Sequence, residues 1–210
     1  TWRTRSRVRK AGGKLQWTSQ DDSVPIAAGS DEGIELAGPS DLRIKLDRPA
    51  YVYPMFEQAL RIAAGETPDV HRRRIGALWS QFSAVAATNP YAWSREALSG
   101  NEIAEPSPSN RMVSWPYTKL MNSNNMVDQG AALVLMSVDK ATYLQIPRDR
   151  WVFPYAGTDA HDTYAISDRA EFHTSPAIRI AGSRALELAG AGVDDMALVD
   201  LYSCFPSAVQ

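Results

Sequence analysis

The C-terminal part of the sequence constrains the fold most strongly, because helix and strand signals alternate there. Ser175 and Pro176 mark a helix start, and apolar and small residues continue over 177–188 until Gly190 ends the helix. The apolar segment 197–201 then has the composition of a strand, and a proline opens another helix behind it. This order of helix, short loop, strand and helix predicts an α/β fold in which helices cover a sheet.

Other segments carry strand signals of different strength. Residues 131–136 form a continuous apolar run with the length of a buried strand, and polar, turn-prone residues lead into it. Residues 14–18, 42–46 and 148–155 are weaker strand candidates. We expect 131–136 and 197–201 to be strands that are covered on both faces.

The middle of the chain has a helical pattern instead. Residues 54–63 place apolar side chains at helical spacing and end at Gly65, and Thr67 with Pro68 then starts a second helix. The apolar stripe of this second helix faces either a core or a ligand groove, and a core is the commoner use of such a stripe. The stripe consists of Ile75, Leu78, Trp79, Phe82 and Val85. A shorter helix is expected within residues 94–105.

Size and composition place the chain among globular proteins. Its 210 residues suffice for one large domain or a domain with a lobe, and 44% hydrophobic and 22% charged residues exclude wholesale disorder. Cys204 is the single cysteine, which excludes an internal disulfide and indicates a reducing, cytoplasmic compartment. No apolar run has the length of a membrane span and no signal peptide is evident, so no membrane partner is expected. Thr1 in place of an initiator Met, and a helix start near the C-terminal end, predict an internal piece of a longer chain.

Two basic clusters raise the question of an anionic partner. Alternating arginines over residues 3–9 could neutralise phosphates, although a solvated strand or loop with its charges on one side is the commoner explanation. The net charge of −2 and the lack of an aromatic ladder or zinc-ligand spacing argue against a nucleic-acid partner. The second cluster, His71 with Arg72, Arg73 and Arg74, lies on a predicted helix, where at most two arginines can face one ligand. Phosphate contact and simple solvation both stay open for this cluster.

Three phrases of the sequence follow one another in a specific order and spacing. Asn-Pro-Tyr-Ala occupies residues 89–92, and Asn-Ser-Asn-Asn-Met-Val-Asp-Gln-Gly-Ala-Ala occupies residues 122–132. An Ala- and Gly-rich stretch at 185–195 is followed by Asp-Leu-Tyr-Ser-Cys-Phe at 200–205. Together these phrases resemble the thiolase superfamily, especially its sterol-carrier-protein-type branch and the actinobacterial thiolase-like proteins. The last phrase is similar to the approach to that family's Asn-Glu-Ala-Phe motif.

The resemblance implies a two-half α/β fold of five layers, αβαβα, with a helical lobe inserted in the first half. On this mapping, residues 1–50 are a polar excursion from the first core half and 51–115 are the inserted lobe over the active site. Residues 116–145 end the first half, and 146–210 start the second. The resemblance further implies acyl-CoA chemistry in lipid metabolism, with coenzyme A or acyl-CoA as substrate and no permanently bound cofactor or metal. A homodimer through the core sheet is the assembly that it implies.

The same resemblance carries functional roles onto individual residues. Tyr202 and Ser203 occupy the Asn and Glu positions of the family's motif and are the catalytic candidates in this chain. Asn124 stands where the family has a Ser that faces the pantetheine arm, and its amide can bond the amides of that arm. The other residues expected in the coenzyme A site are Met126, Arg72, Arg73, Cys204 and Phe205. An inert buried cysteine is the alternative for Cys204, and a plain core phenylalanine is the alternative for Phe205.

Two functional hypotheses follow from these positions. The family's nucleophilic Cys and its late His and Cys map outside the chain, since Cys204 stands at the Ala position of the motif. Covalent acyl transfer needs a thiolate beside a base, so this chain alone is expected to be inactive. The first hypothesis is a fragment of a thiolase-type acyl-CoA acyltransferase of the acetyl-CoA acetyltransferase kind. The second is a non-catalytic thiolase-like protein that binds coenzyme A or acyl-CoA.

Overall fold

Helices make up most of the regular structure in the computed structural model, which describes residues 2–15, 21, 23–25, 37–124, 127 and 130–210. The strands of this described part form one two-stranded antiparallel sheet. In chain order the elements are α1 (Trp2–Lys10), α2 (Pro39–Arg43), α3 (Pro49–Ala63), α4 (Pro68–Thr88), α5 (Gly100–Ala104), β1 (Met112–Ser114), β2 (Tyr117–Thr118), α6 (Val138–Tyr143) and α7 (Pro176–Ala189). Short 3₁₀ turns lie at Lys119–Met121, Arg148–Arg150, Ile166–Asp168, Val193–Asp195 and Pro206–Val209.

The chain divides into two compact units. The first unit combines Thr1–Gly33 with Asn124–Gly157, and the second combines Ile34–Ser123 with Thr158–Gln210. The first unit holds α1 and α6, and Ser137 caps α6 by accepting a hydrogen bond from the backbone N–H of Lys140 at 3.2 Å. The 3₁₀ turn Arg148–Arg150 also belongs to the first unit, and all the other helices, strands and turns named above belong to the second. The division of the chain that the family resemblance implies stays a prediction.

The predicted helices α3, α4, α5 and α7 of the second unit are confirmed, and local signals set their ends, whereas the helix expected from Pro206 is a 3₁₀ turn. α3 ends before Gly65, whose φ of 66° is the left-handed conformation that glycine adopts without strain. α4 begins behind Thr67, whose Oγ1 accepts from the backbone N–H of Val70 at 3.4 Å. α7 begins behind Ser175 in the same manner and ends at Gly190. The short helix expected within 94–105 is α5.

The core of the second unit forms where α4, α5 and the small sheet meet. Asn110, which is buried, supports this junction because its Nδ2 donates to backbone carbonyl groups at the end of α5, at 3.0 to 3.1 Å. Its Oδ1 accepts from the backbone N–H of Leu120 at 2.9 Å. The buried apolar residues of the core are Ile75, Ile103, Ala104, Tyr117, Met121 and Phe205. Of the predicted stripe on α4, Ile75 lies in this core and Trp79 packs against it, whereas Phe82 and Val85 are exposed.

Four predicted strands are not strands in the described structure. Residues 42–46 belong to the end of α2 and a turn, because Pro39 and the buried carboxylate of Asp41 favour a helix start there. Residues 131–136 and 197–201 carry neither helix nor strand, and 148–155 begins with a 3₁₀ turn. A strand needs backbone hydrogen bonds to a neighbouring strand, and among the described residues none pairs with these segments.

The segments 131–136 and 197–201 were also expected to be covered on both faces, and they are not. Leu133 is 90% exposed and Leu198 is 93% exposed. Of the fifth strand candidate, residues 16–18 lie outside the described residues. The described chain is thus helix-rich with a small sheet, and the five-layer arrangement stays a prediction. In this part of the chain, no helix is both long and apolar enough to cross a bilayer.

Candidate functional site

Residues 202–205 form a turn whose backbone is held from two directions. The Ser203 hydroxyl donates to the carbonyl of Phe205 and accepts from the backbone N–H of Phe205 at 3.2 Å. The backbone N–H of Ser123 donates to the carbonyl of Cys204 at 3.0 Å. Ser203, predicted as a catalytic candidate, therefore closes the turn through its own side chain.

Phe205 anchors the turn in the core. It is 5% exposed, and its ring stacks on the Tyr53 ring with centroids 4.3 Å apart and an interplanar angle of 17°. The ring of Tyr117 lies 5.3 Å away in a tilted arrangement. Such aromatic contacts stabilise a core beyond the burial of area. The structure therefore places Phe205 as a packing residue of the second unit, and its predicted contact with an acyl group stays a prediction.

Tyr202 and Cys204 lie close together in the turn, and Cys204 is partly buried against the core. Tyr202 is exposed, and the Cys204 thiol lies 3.9 Å from its hydroxyl oxygen. This hydrogen bond from the thiol is the main cause of a raised pKa of the Tyr202 phenol. The phenol therefore keeps its proton at neutral pH and can donate a hydrogen bond to a ligand. Among the residues that the structure describes, none of the three histidines hydrogen-bonds to Cys204.

The basic cluster on α4 is divided between structural and exposed side chains. Arg72 donates to the carbonyl of Ala104 at 3.0 Å, pairs with Glu105 at 3.0 Å and lies over the Trp115 ring at 5.3 Å. Its guanidinium is therefore occupied by the junction with α5. Arg73 is exposed and has no hydrogen bond or ion pair within the described part of the chain. Of the two arginines expected to contact phosphate, Arg73 is the more available.

The two remaining site candidates belong to the first unit. Asn124 is exposed there, whereas Met126 lies outside the described residues. The turn at 202–205 and both arginines belong to the second unit. The structure therefore brings Tyr202, Ser203, Cys204 and Phe205 together in one turn, and the joint action of this turn with Asn124 stays a prediction.

A cavity of about 480 Å³ opens beside the last residues of the chain within the second unit. Aromatic side chains of Tyr53, Phe56 and Phe172 line it, and Arg179 and Ser207 contribute polar groups. Further polar and charged residues, among them Asp162, Arg169 and His173, also line the cavity, so it has an aromatic part and a polar part. The described residues contain no group of three or more side chains suited to hold a metal ion.

A buried polar group in the second unit was missed by the sequence analysis. Glu57, His71, Tyr117 and Gln210 form it, and we name it the Glu57 cluster. One signal was available, because Glu57 lies four residues after Tyr53 on the apolar face of α3. A carboxylate on a buried helix face is expected to have partners, since an isolated buried charge is costly.

Comparison with known proteins identifies the fold. The chain matches no protein-family model. Its structure is similar to the crystal structure of a monomeric SCP2-thiolase like protein type 1 from Mycobacterium smegmatis, with a TM-score of 0.75 and 36% sequence identity. The match covers 84% of this chain and 38% of that protein. The recognition of the thiolase superfamily in this chain, in its SCP2 type, is therefore confirmed.

Proposed function

We propose that this chain is part of a thiolase-like protein that binds coenzyme A thioesters and, in the complete protein, condenses or cleaves them. One observation carries the proposal, namely 36% identity with an SCP2-thiolase-like protein across 84% of the chain. Because the chain spans only 38% of that protein, the activity is assigned to a complete protein. Coenzyme A or acyl-CoA acts as the substrate, and no permanently bound cofactor is required.

The residues of the chain supply binding contacts in this proposal. Asn124 is exposed, and its amide can bond the amides of the pantetheine arm. Arg73 on α4 is exposed and can pair with phosphate, a contact that weakens with salt because screening acts over about 8 Å at physiological ionic strength. The phenol of Tyr202 is a protonated donor that can bond a thioester oxygen. The aromatic cavity beside Ser207 offers space for an acyl group.

Calorimetric titration with coenzyme A tests this binding role. The complete protein is compared with its Asn124→Leu variant, which we expect to bind about 1 kcal/mol more weakly because one hydrogen bond is lost. Asn101→Leu, another exposed amide, serves as the matched control and should leave the affinity unchanged. Unchanged affinity in Asn124→Leu refutes the role of Asn124, and no binding by the complete protein refutes the site.

A second candidate function is binding without turnover. It is favoured by Tyr202 and Ser203, because a phenol and a hydroxyl stand where the family's motif has an amide and a carboxylate. Thiolysis of acetoacetyl-CoA by the complete protein separates the two functions. Turnover together with binding supports the acyltransferase, whereas binding without turnover supports the second candidate. The 210-residue chain itself should show no thiolysis above background in either case.

A further inference from the structure

Glu57 is the centre of the Glu57 cluster. Its Oε1 lies 2.5 Å from Nε2 of His71 and 2.7 Å from Nε2 of Gln210. Its Oε2 accepts a hydrogen bond from the Tyr117 hydroxyl at 2.6 Å. Glu57, His71 and Tyr117 are fully buried. One buried carboxylate thus gathers donors from α4, from β2 and from the C-terminal end of the chain.

The charge of this buried carboxylate is compensated through His71. Nδ1 of His71 lies 2.6 Å from Glu66, so each ring nitrogen faces a carboxylate oxygen and both are satisfied when both carry hydrogen. Arg74 bonds Glu66 at 2.8 Å and lies 3.1 Å from Nδ1 of His71. The imidazole therefore bridges the two carboxylates, and Arg74 supplies a cation beside Glu66. Loss of one partner of such a buried pair is strongly destabilising.

Two members of the cluster hold the segment that directly follows the candidate site. Gln210 bonds Glu57, and the Tyr117 hydroxyl lies 3.2 Å from Oγ of Ser207. Ser207 belongs to the 3₁₀ turn Pro206–Val209, which begins immediately after Phe205. Ser123 holds the turn at residues 202–205 through the carbonyl of Cys204, and the Glu57 cluster holds the segment that follows this turn.

We propose that Glu57 is a positioning residue of the candidate site. Its carboxylate fixes the Pro206–Val209 turn and thereby sets the orientation of residues 202–205. The effect on coenzyme A binding rests on the proposed function, whereas the fixing of the turn does not. Glu57 lies distant in sequence from this turn and is linked to it through the side chains of the Glu57 cluster.

Amide hydrogen exchange on two matched variants of the full chain tests this role. Glu57→Gln keeps the size of the side chain, and its oxygen can still accept from His71 and Gln210. As an uncharged amide, however, it holds Gln210 more weakly than the carboxylate does, and it presents an NH2 group to the Tyr117 hydroxyl. Glu66→Gln removes the carboxylate on the other side of the same imidazole and touches neither Gln210 nor Tyr117. Exchange at the amides of Phe205 and Ala208 is measured relative to α7.

We expect Glu57→Gln to speed exchange at these two amides by about tenfold or more relative to α7, and Glu66→Gln to leave the ratio unchanged. The ring N–H resonances of His71 supply a spectroscopic readout. Glu57→Gln should move the Nε2–H resonance, and Glu66→Gln the Nδ1–H resonance. Equal exchange ratios in the two variants overturn the proposal, because general destabilisation then explains both.

Two further measurements keep the result decisive. If Glu57→Gln does not fold, Gln210→Ala removes the link to the turn while His71 keeps both carboxylates, and the same rise in exchange is expected. An unchanged ratio in Gln210→Ala overturns the proposal in that case. Coenzyme A titration of the complete protein with Glu57→Gln should show weaker binding than with Glu66→Gln. Absence of binding by the unsubstituted complete protein refutes the proposed function, while the exchange result still decides the role of Glu57.

Discussion

Tyr117 shows how one hydroxyl links the apolar core of the second unit to the buried polar Glu57 cluster. The side chain is fully buried, and its hydroxyl lies 2.6 Å from Glu57, 3.2 Å from Ser207 and 3.3 Å from the carbonyl of Tyr53. Burial, followed by the nearby carboxylate of Glu57, raises the pKa of Tyr117. The phenol therefore stays a hydrogen-bond donor throughout the neutral range.

Removal of this hydroxyl should cost stability without changing the packing of the ring. We expect Tyr117→Phe to lower the free energy of unfolding by about 1–3 kcal/mol, because Glu57 loses a donor while it stays buried. Urea denaturation measures the change. Tyr143→Phe is the control, since that side chain is 77% exposed. Equal losses in the two variants would contradict the assigned role of the hydroxyl.

Glu66 gives the protein a predictable response to acid. The hydrogen bond from His71, supported by Arg74, lowers the pKa of this carboxyl group below its usual value. A carboxyl group with a lowered pKa contributes its full stability above its unfolded pKa of about 4.3. This contribution is lost as the pH falls through the lower value of the folded state.

Replacement of Glu66 should therefore make the free energy of unfolding depend less on pH in the acid range. We expect Glu66→Gln to be less stable than the unsubstituted chain at pH 6, and the difference to shrink as the pH falls below about 4. Urea midpoints between pH 3 and 7 measure it. Profiles that run parallel across this range would show that Glu66 does not contribute as described.

At the scale of elements, the contact between α4 and α5 depends on two glycines. A Cβ at Gly76 would lie 2.6 Å from the carbonyl oxygen of Gly100 and 3.0 Å from Cβ of Ala104. A Cβ at Gly100 would in turn lie 3.1 Å from backbone atoms of α4. The two helices thus approach until their backbones touch, and Ser80 and Ser83 on α4 hydrogen-bond the segment that precedes α5.

Substitution of Gly76 tests this close approach. We expect Gly76→Ala to cost about 1–3 kcal/mol of stability, because backbone atoms must move to accept the methyl group. Gly182→Ala on α7 is the matched control, since nothing lies within 4 Å of its Cβ. That control should gain about 0.5–1 kcal/mol from helix propensity. Thermal unfolding compares the two, and a neutral Gly76→Ala would show that the helices are not in contact at this point.

Local signals explain why the sequence predicts some elements and not others. Thr67, Ser175 and Gly190 set helix ends through hydrogen bonds or backbone angles within a few residues, so α4 and α7 could be predicted. A strand depends on a partner that is distant in sequence, and the composition of 131–136 does not show whether that partner is present. α2 is only five residues long and gave no periodic signal.

The same distinction holds for the candidate site. The phrase at 200–205 predicted a local group of functional residues, and the structure forms a turn there. The pairing of Arg72 with Glu105 and the contact of Glu57 with Gln210 join residues that lie far apart in sequence. Helical spacing places Glu57 on the apolar face of α3 but does not identify the partners of Glu57 or Arg72. The sequence analysis therefore treated Arg72 as an available cation and missed the Glu57 cluster.

At the scale of the whole molecule, the distribution of apolar surface separates the two units. The second unit contains the buried core with Ile75 and Phe205. In the first unit, apolar side chains of the segment after Gly130 face solvent, with Leu133 90%, Val134 80% and Leu135 87% exposed. Large contiguous apolar surfaces of this kind mark interaction sites or cause aggregation.

Substitutions in the segment 131–136 test whether its side chains are exposed in the 210-residue chain and buried in a strand of the complete protein. Leu133→Ser combined with Leu135→Ser should change the unfolding free energy of the 210-residue chain by less than about 0.5 kcal/mol, since both side chains are exposed. Self-association, measured by light scattering, should fall because apolar surface is removed. Ile75→Ser, at a fully buried site, is the control and should destabilise the chain strongly.

The same pair of substitutions in the complete protein examines the five-layer arrangement that the sequence predicts. If residues 131–136 form a covered strand there, each leucine buries its side chain, and each substitution costs about 2–5 kcal/mol. The pair should then unfold the complete protein at a much lower urea concentration, although the chain itself tolerates it. A complete protein that tolerates both substitutions as well as the chain does would show that this segment is not a core strand. The comparison therefore decides between a covered strand and an exposed segment by the free energy of unfolding alone.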